Sequence, residues 1–124
     1  MASPSAIPAT PIAGIDHVAV IVRDIDAALP FYTEQLGFRL IGDERTQASG
    51  GARLAYLDAG NVKIQLVSPT GSTGPIAAHL ATHGEGLHHI CLTVEDIDDT
   101  IARFAPGKDV PVVVGGRNRR TAFL

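Results

Sequence analysis

Two segments of this chain, 72 residues apart, spell the same junction between a strand and a helix. Ile15-Asp16-His17-Val18-Ala19-Val20-Ile21-Val22-Arg23-Asp24-Ile25-Asp26 overlays Leu87-His88-His89-Ile90-Cys91-Leu92-Thr93-Val94-Glu95-Asp96-Ile97-Asp98. The pairs His17/His89, Val22/Val94, Asp24/Asp96, Ile25/Ile97 and Asp26/Asp98 are identical. Matches of this number, carrying the same punctuation, point to a duplicated unit rather than to two unrelated amphipathic stretches. In each copy a run of β-branched and aliphatic residues predicts a strand starting at the histidine. It stops at Asp24 or Asp96, whose carboxylate suits the exposed amides of a following helix. The first helix carries Ile25, Ala28, Leu29, Tyr32 and Leu36 at helical spacing and ends at Gly37, a left-handed cap. Pro30 falls inside it and predicts a bend or a late start, since a proline in a helix interior costs about 3 kcal/mol. The second helix carries Ile97, Ile101 and Phe104 and ends at Pro106-Gly107.

The first copy continues with three strand candidates, Phe38 to Asp43, Ala52 to Asp58 and Val62 to Val67, the last two joined by a turn at Ala59-Gly60-Asn61. That makes a β-α-β-β-β unit. A turn-rich linker, Pro69 to Gly74, and a short helix, Ile76 to His83, lead into the second copy. There the strand and helix are followed by strand candidates Val110 to Val114 and Arg120 to Leu124, one strand short of the repeat. The expectation is an α+β fold divided into a flexible N-terminal arm (1–13), a first βαβββ module (14–70), a linker with a short helix (71–86) and a second, incomplete module (87–124). The 124 residues suit one domain or two mutually dependent halves, and 45% hydrophobic with 19% charged residues excludes a disordered chain. Ten basic against thirteen acidic residues, a net charge of −3, give no sign of a nucleic-acid binder. Apolar runs such as Val18 to Val22 fall far short of the roughly 20 residues of a membrane span. The arm has no basic stretch before an apolar core, as a secretory leader would. The single Cys91 has no internal partner for a disulfide, and the expected location is the cytoplasm.

Strand residues alternate between faces. His17, Ala19 and Ile21 share one face of the first strand, and His89, Cys91 and Thr93 the matching face of its repeat. His88, Ile90, Leu92 and Val94 take the other side. Gln65 looks away from Ile64 and Leu66. The more apolar face is expected to pack on helices, and the face bearing His17 and His89 to line a concavity. One histidine in a strand is more often a hydrogen-bonded structural residue than a ligand. Two at matched positions are pseudo-symmetry mates able to approach one ion. Neutral imidazoles with an oxygen donor suit Mn, Fe, Co, Ni or Zn better than Ca.

The stretches IDHVAVIVRDIDAALPFYTEQLGF, KIQLVSP and GEGLHHICLTVEDID resemble the vicinal-oxygen-chelate superfamily, which holds glyoxalase I, extradiol dioxygenases, bleomycin-resistance proteins and methylmalonyl-CoA epimerase. GEGLHHI and AYLDAGNVKIQLVSP look most like the epimerase branch, and the resemblance covers about residues 14 to 124. It implies an open, cup-shaped mixed sheet with helices outside and a divalent metal in the cup. His17, Gln65 and His89 would be ligands. A fourth ligand of the family, a glutamate on the last strand, falls past Leu124 by the same 72-residue offset. The resemblance also implies metal-dependent isomerase or lyase chemistry that stabilises an enediolate. The small-molecule substrate would be an acyl-CoA or another compound with vicinal oxygens, and the assembly a homodimer. Epimerase relatives carry a glutamate base in an E-Q-G stretch where this chain reads Ser49-Gly50-Gly51. Serine cannot act as that base, which leaves Glu44, several residues away, as the catalytic candidate. The competing reading is a metal-free binding protein of the bleomycin-resistance kind. A scaffold with a degenerate site is a third.

His79 and His83, four apart on a helix, share a side and are read as surface residues, with zinc binding as the alternative. His88 is expected on the opposite strand face from His89. Cys91 is read as a small buried residue rather than a nucleophile. Arg117, Arg119 and Arg120 are read as a solvated loop, with contact to a CoA phosphate as the alternative. Gly50-Gly51 and Gly115-Gly116 are turn signals.

Overall fold

Asp24 ends the first strand as expected: its carboxylate accepts from the amides of Asp26 (3.0 Å) and Ala27 (3.4 Å) and starts helix α1, Ile25–Pro30. The structure is a computed structural model that describes residues 12–47 and 50–124. The expected arm at 1–11 and Ser49 lie outside the described residues. Pro30 does not delay the helix but is the last residue of its α-helical part. It has no N–H for the preceding turn, and the chain widens into a π-helical turn, Phe31–Gln35, closed by the Leu36 amide on the Phe31 carbonyl at 3.0 Å. Gly37 then takes φ 75°, the left-handed value its position required.

The remaining elements are β1 (Ile12–Ile21), β2 (Arg39–Thr46), β3 (Ala52–Asp58), β4 (Lys63–Pro69), α2 (Pro75–His83), β5 (Gly86–Val94), α3 (Ile97–Phe104), β6 (Val113–Val114) and β7 (Arg120–Thr121). Five strands form one open mixed sheet in the order β2-β3-β4-β1-β5, with β1 parallel to β4 and the other neighbours antiparallel. β1 begins five residues before His17 because Ile12 and Gly14 pair with Val94 and Thr93 of β5, so the end of the expected arm is sheet. The strand expected at Val110 to Val114 shrinks to two residues, as does that at Arg120 to Leu124. They pair only with each other, as a separate two-stranded ribbon around a turn at Gly116–Asn118.

Both faces of the large sheet are packed. On the outer face Val22, Ile25, Ala55, Leu57 and Leu66 meet Ala28, Leu29 and Tyr32. On the inner face Ala19, Ile21, Leu54, Tyr56 and Val67 meet Ile76 and Leu80 of α2. Each fully buried Leu or Ile contributes about 1.5–3 kcal/mol, which anchors the strands that carry the polar inner residues. Arg53 ties outer elements together through Asp43 on β2 (2.7 and 3.0 Å) and Asp26 on α1 (3.0 Å). β5 departs from expectation. Leu87, Ile90 and Leu92 stay exposed, at 68%, 55% and 41%, so no helix among the described residues lies over its apolar face. No helix of the described residues is long and apolar enough to cross a membrane.

Candidate metal centre

Register brings the inner residues together. Gly42 pairs with Tyr56, Tyr56 with Gln65, Gln65 with Ala19, and Ala19 with His89, one row running across all five strands. Paired residues share a face, so Gln65 and His89 flank Ala19, with His17 two residues further along β1. The Ala19 methyl, wholly buried, is the small group between them. His17 and Gln65 are 6% and 5% exposed. The rings of His17 and His89 sit 5.8 Å apart, nearly perpendicular.

Each donor is oriented by a neighbour. Asp16 Oδ2 lies 2.8 Å from His17 Nδ1, which turns His17 Nε2 toward the cup. Gln65 Nε2 donates to Tyr56 Oη at 2.8 Å, leaving the amide oxygen as the acceptor for a further partner. His89 Nδ1 and His88 Nδ1 share one hydrogen bond at 2.7 Å; with His89 as the donor, its Nε2 carries the free lone pair. Burial, with the charges of His88 and His17, pushes His89 down to about 4. Burial also lowers His17, outweighing the pull of Asp16 in the other direction. Both rings are therefore neutral at pH 7, the form that binds metal. For Asp16 burial works upward, but His17, Arg117 and Lys63 hold its carboxyl below the usual range.

Residues 14–120 match the Glyoxalase/Bleomycin resistance protein/Dioxygenase superfamily. The chain belongs to that superfamily. It is similar to the mitochondrial methylmalonyl-CoA epimerase of Bos taurus, 34% identical over 77% of this chain and 54% of the relative. It is also similar to the ethylmalonyl-CoA/methylmalonyl-CoA epimerase of Cereibacter sphaeroides, 37% identical over 69% of this chain and 64% of the relative. The chain thus spans between half and two-thirds of these relatives' length. Among solved structures, Streptomyces coelicolor methylmalonyl-CoA epimerase in complex with 2-nitronate-propionyl-CoA aligns with TM-score 0.78 and 29% identity, over 88% of this chain and 84% of that one.

The donor set of this superfamily member fits a divalent ion. A metal about 2.1 Å from each ring nitrogen puts two imidazole centres about 4.5–6.4 Å apart, depending on the angle at the metal. The 5.8 Å between His17 and His89 lies inside that range. Asp16, His17 and Cys91 also bring ligand atoms within 4.8 Å of one another. Asp16, however, is committed to cations: Arg117, Lys63 at 3.7 Å and Arg119 at 4.0 Å. It stands behind His17 Nδ1, where a carboxylate fixes the ring's tautomer. Burial raises the Cys91 thiol, which keeps it protonated and a poor ligand or nucleophile.

Glu44 lies on β2 opposite Leu54, on the inner face, and its Oε1 accepts the Arg117 amide at 2.5 Å. Arg117 is not a solvated residue. Its guanidinium lies 5.0 Å over the Tyr56 ring and pairs with Asp16, and its Nε is buried without a hydrogen-bond partner. Arg117 and Asn118 both hold φ 57°, a conformation that costs non-glycine residues about 1–3 kcal/mol and gathers at functional sites. Gly116 permits the approach. A Cβ there would collide with Tyr56 Oη and sit 3.1 Å from Glu44 Oε1.

His88 is not on the opposite face. Ala19 pairs with His89 and Val20 with Leu87, which makes His88 the extra residue of a bulge, and a bulge re-aims a side chain. The sequence reading also missed Tyr56 and Asp16, and took Arg117 for part of a solvated loop. Tyr56 was accessible, because a hairpin closed at Ala59-Gly60-Asn61 sets it opposite Gln65. Asp16 carried no such signal, since alternation points it away and only the irregularity between Ile15 and His17 brings it round.

Proposed function

We propose that this chain carries the metal centre of a methylmalonyl-CoA epimerase-like isomerase acting on an acyl-CoA whose reacting carbon lies between two carbonyl groups. The observation that carries the reading is the meeting of His17, Gln65 and His89 on the inner face, with His17 set by Asp16. A divalent ion (Mn, Fe, Co, Ni or Zn) bound there supplies Lewis acidity for an enediolate-type oxyanion. The protein's part is to keep both imidazoles neutral, hold the Gln65 oxygen toward the cup and bury the site. Arg117 supports an anionic substrate: its Nε is a buried donor with no partner, and a carboxylate oxygen would satisfy it. Glu44, fastened to the Arg117 amide, is the carboxylate available to take up the proton beside the carbonyls. The name of the Streptomyces ligand, a propionyl-CoA derivative, supports the acyl-CoA class.

The test is exchange of the substrate's α-proton with solvent deuterium, using methylmalonyl-CoA and added Co2+, Mn2+, Ni2+, Fe2+ or Zn2+. His17→Ala should abolish exchange, and Glu44→Gln should suppress it while metal remains bound. No exchange with any of these metals would sink the enzymatic reading. The second reading is a metal-free small-molecule binder, in keeping with Ser49-Gly50-Gly51 offering no carboxylate base. That reading requires tight acyl-CoA binding after chelation, with only a modest loss in His17→Ala. We further propose a homodimer, supported by β5 being a sheet edge with Leu87, Ile90 and Leu92 exposed.

A further inference from the structure

The repeat duplicates more than the two cup histidines. Asp16 and His88, the residues just before His17 and His89, are mates under the same 72-residue offset. Alternation would send both away from the cup. Each is instead the extra residue of a bulge in the ladder between β1 and β5. Ile15 pairs with Leu92 and His17 with Cys91, which leaves Asp16 over; Ala19 pairs with His89 and Val20 with Leu87, which leaves His88 over. Each then meets Nδ1 of the histidine that follows it. Asp16 Oδ2 stands 2.8 Å from His17 Nδ1, and His88 Nδ1 stands 2.7 Å from His89 Nδ1. We infer that His88 is a positioning residue, the counterpart of Asp16, which sets the tautomer of His89 and aims its Nε2 into the cup.

A neutral imidazole has one N–H and one acceptor nitrogen, so a single bond between two rings makes one the donor and the other the acceptor. With His88 accepting at Nδ1, the proton of His89 is fixed on its own Nδ1 and the Nε2 lone pair is free. His88 then keeps its proton on Nε2 and takes no ligand role itself. Its ring is braced from α2, where His79 stands perpendicular to it with the ring centres 4.6 Å apart. Ile76 and Leu80 seat that helix in the inner core, so the brace is fixed. The two backing groups differ in charge. Asp16, paired with Lys63 and Arg117, puts a carboxylate behind His17 and raises its basicity. His88 fixes direction without adding negative charge, which makes His89 the weaker donor of the two.

Long-range 1H–15N spectra of the imidazole rings, taken on the full chain after chelator treatment, read the tautomer without any metal. His89 of the wild type should carry its proton on Nδ1. His88→Ala should leave His89 a mixture of tautomers and weaken Co2+ binding about tenfold, the low end of the cost of losing a group behind a ligand. His88→Asp, which transplants the carboxylate of the repeat mate, should restore the Nδ1–H form and the affinity. A change that merely loosened the strand would not be reversed by so different a side chain. A wild-type His89 protonated on Nε2, or a His88→Ala variant with tautomer and affinity unchanged, would overturn the assignment. The bearing on a metal rests on the proposed function, whereas the tautomer does not. A His88-dependent tautomer in a chain that binds no divalent ion would support the positioning role and count against the metal centre.

Discussion

Asp16 lies directly behind His17, its Oδ2 2.8 Å from Nδ1, and the same carboxylate pairs with Arg117 from the far end of the chain. One side chain therefore orients a candidate ligand and pins the loop that covers it. Asp16→Asn should keep the fold and weaken divalent-metal binding about 10–100-fold, the usual cost of losing the carboxylate behind a ligating histidine. Competition against a chromophoric chelator measures it, and affinity unchanged from wild type would remove Asp16 from the site.

Tyr56→Phe should cost about 1–3 kcal/mol in urea unfolding, because it strands the buried Gln65 amide donor without its acceptor. The ring under the Arg117 guanidinium survives this change, so the loss reports the hydroxyl alone. A variant as stable as wild type would mean that water or another acceptor replaces Tyr56 Oη.

Ala19→Leu should be more damaging than its chemistry suggests. Position 19 is fully buried between Gln65 and His89, and overpacking such a site costs about 1–3 kcal/mol. The added branch should also push the two donors apart and reduce metal content, read by elemental analysis. Retention of full metal with lost stability would place the new side chain elsewhere in the core.

Acid should destabilise the metal-free protein before any carboxylate titrates. Unfolding restores His17 and His89 to the ordinary value of 6.5, while the folded protein holds both lower, His89 at about 4. Between those limits the unfolded chain binds more protons, so stability falls as pH drops from about 6.5 toward 4. Asp16 adds to the loss at still lower pH. Its folded value lies below 3.8, so its stabilisation is present above 3.8 and disappears as pH falls through that folded value. Urea midpoints at pH 7.5, 6, 5 and 4 would trace this, and a midpoint constant from pH 7.5 to 5 would contradict it.

Local chemistry carried much of the architecture. The cap carboxylates of Asp24 and Asp96, Gly37, the strand-turn-strand run from Ala52 to Val67 and the second helix are set by neighbours within a few residues, so their signals survive in one dimension. The matched histidines and Gln65 were legible because alternation and repetition suffice to place them on one face. The remainder depended on contacts between distant segments. The irregularities in β1 and β5 turned Asp16 and His88 against the alternation rule, and strand pairing alone decides where an extra residue is accommodated. The loop around Arg117 read as solvent-exposed because nothing in its own residues reveals Tyr56, Glu44 and Asp16 waiting beneath it. The bare apolar face of β5 and the shortened final strands have the same origin. A hydrophobic pattern says which side wants cover, whereas only the assembled chain determines whether anything lies there to cover it.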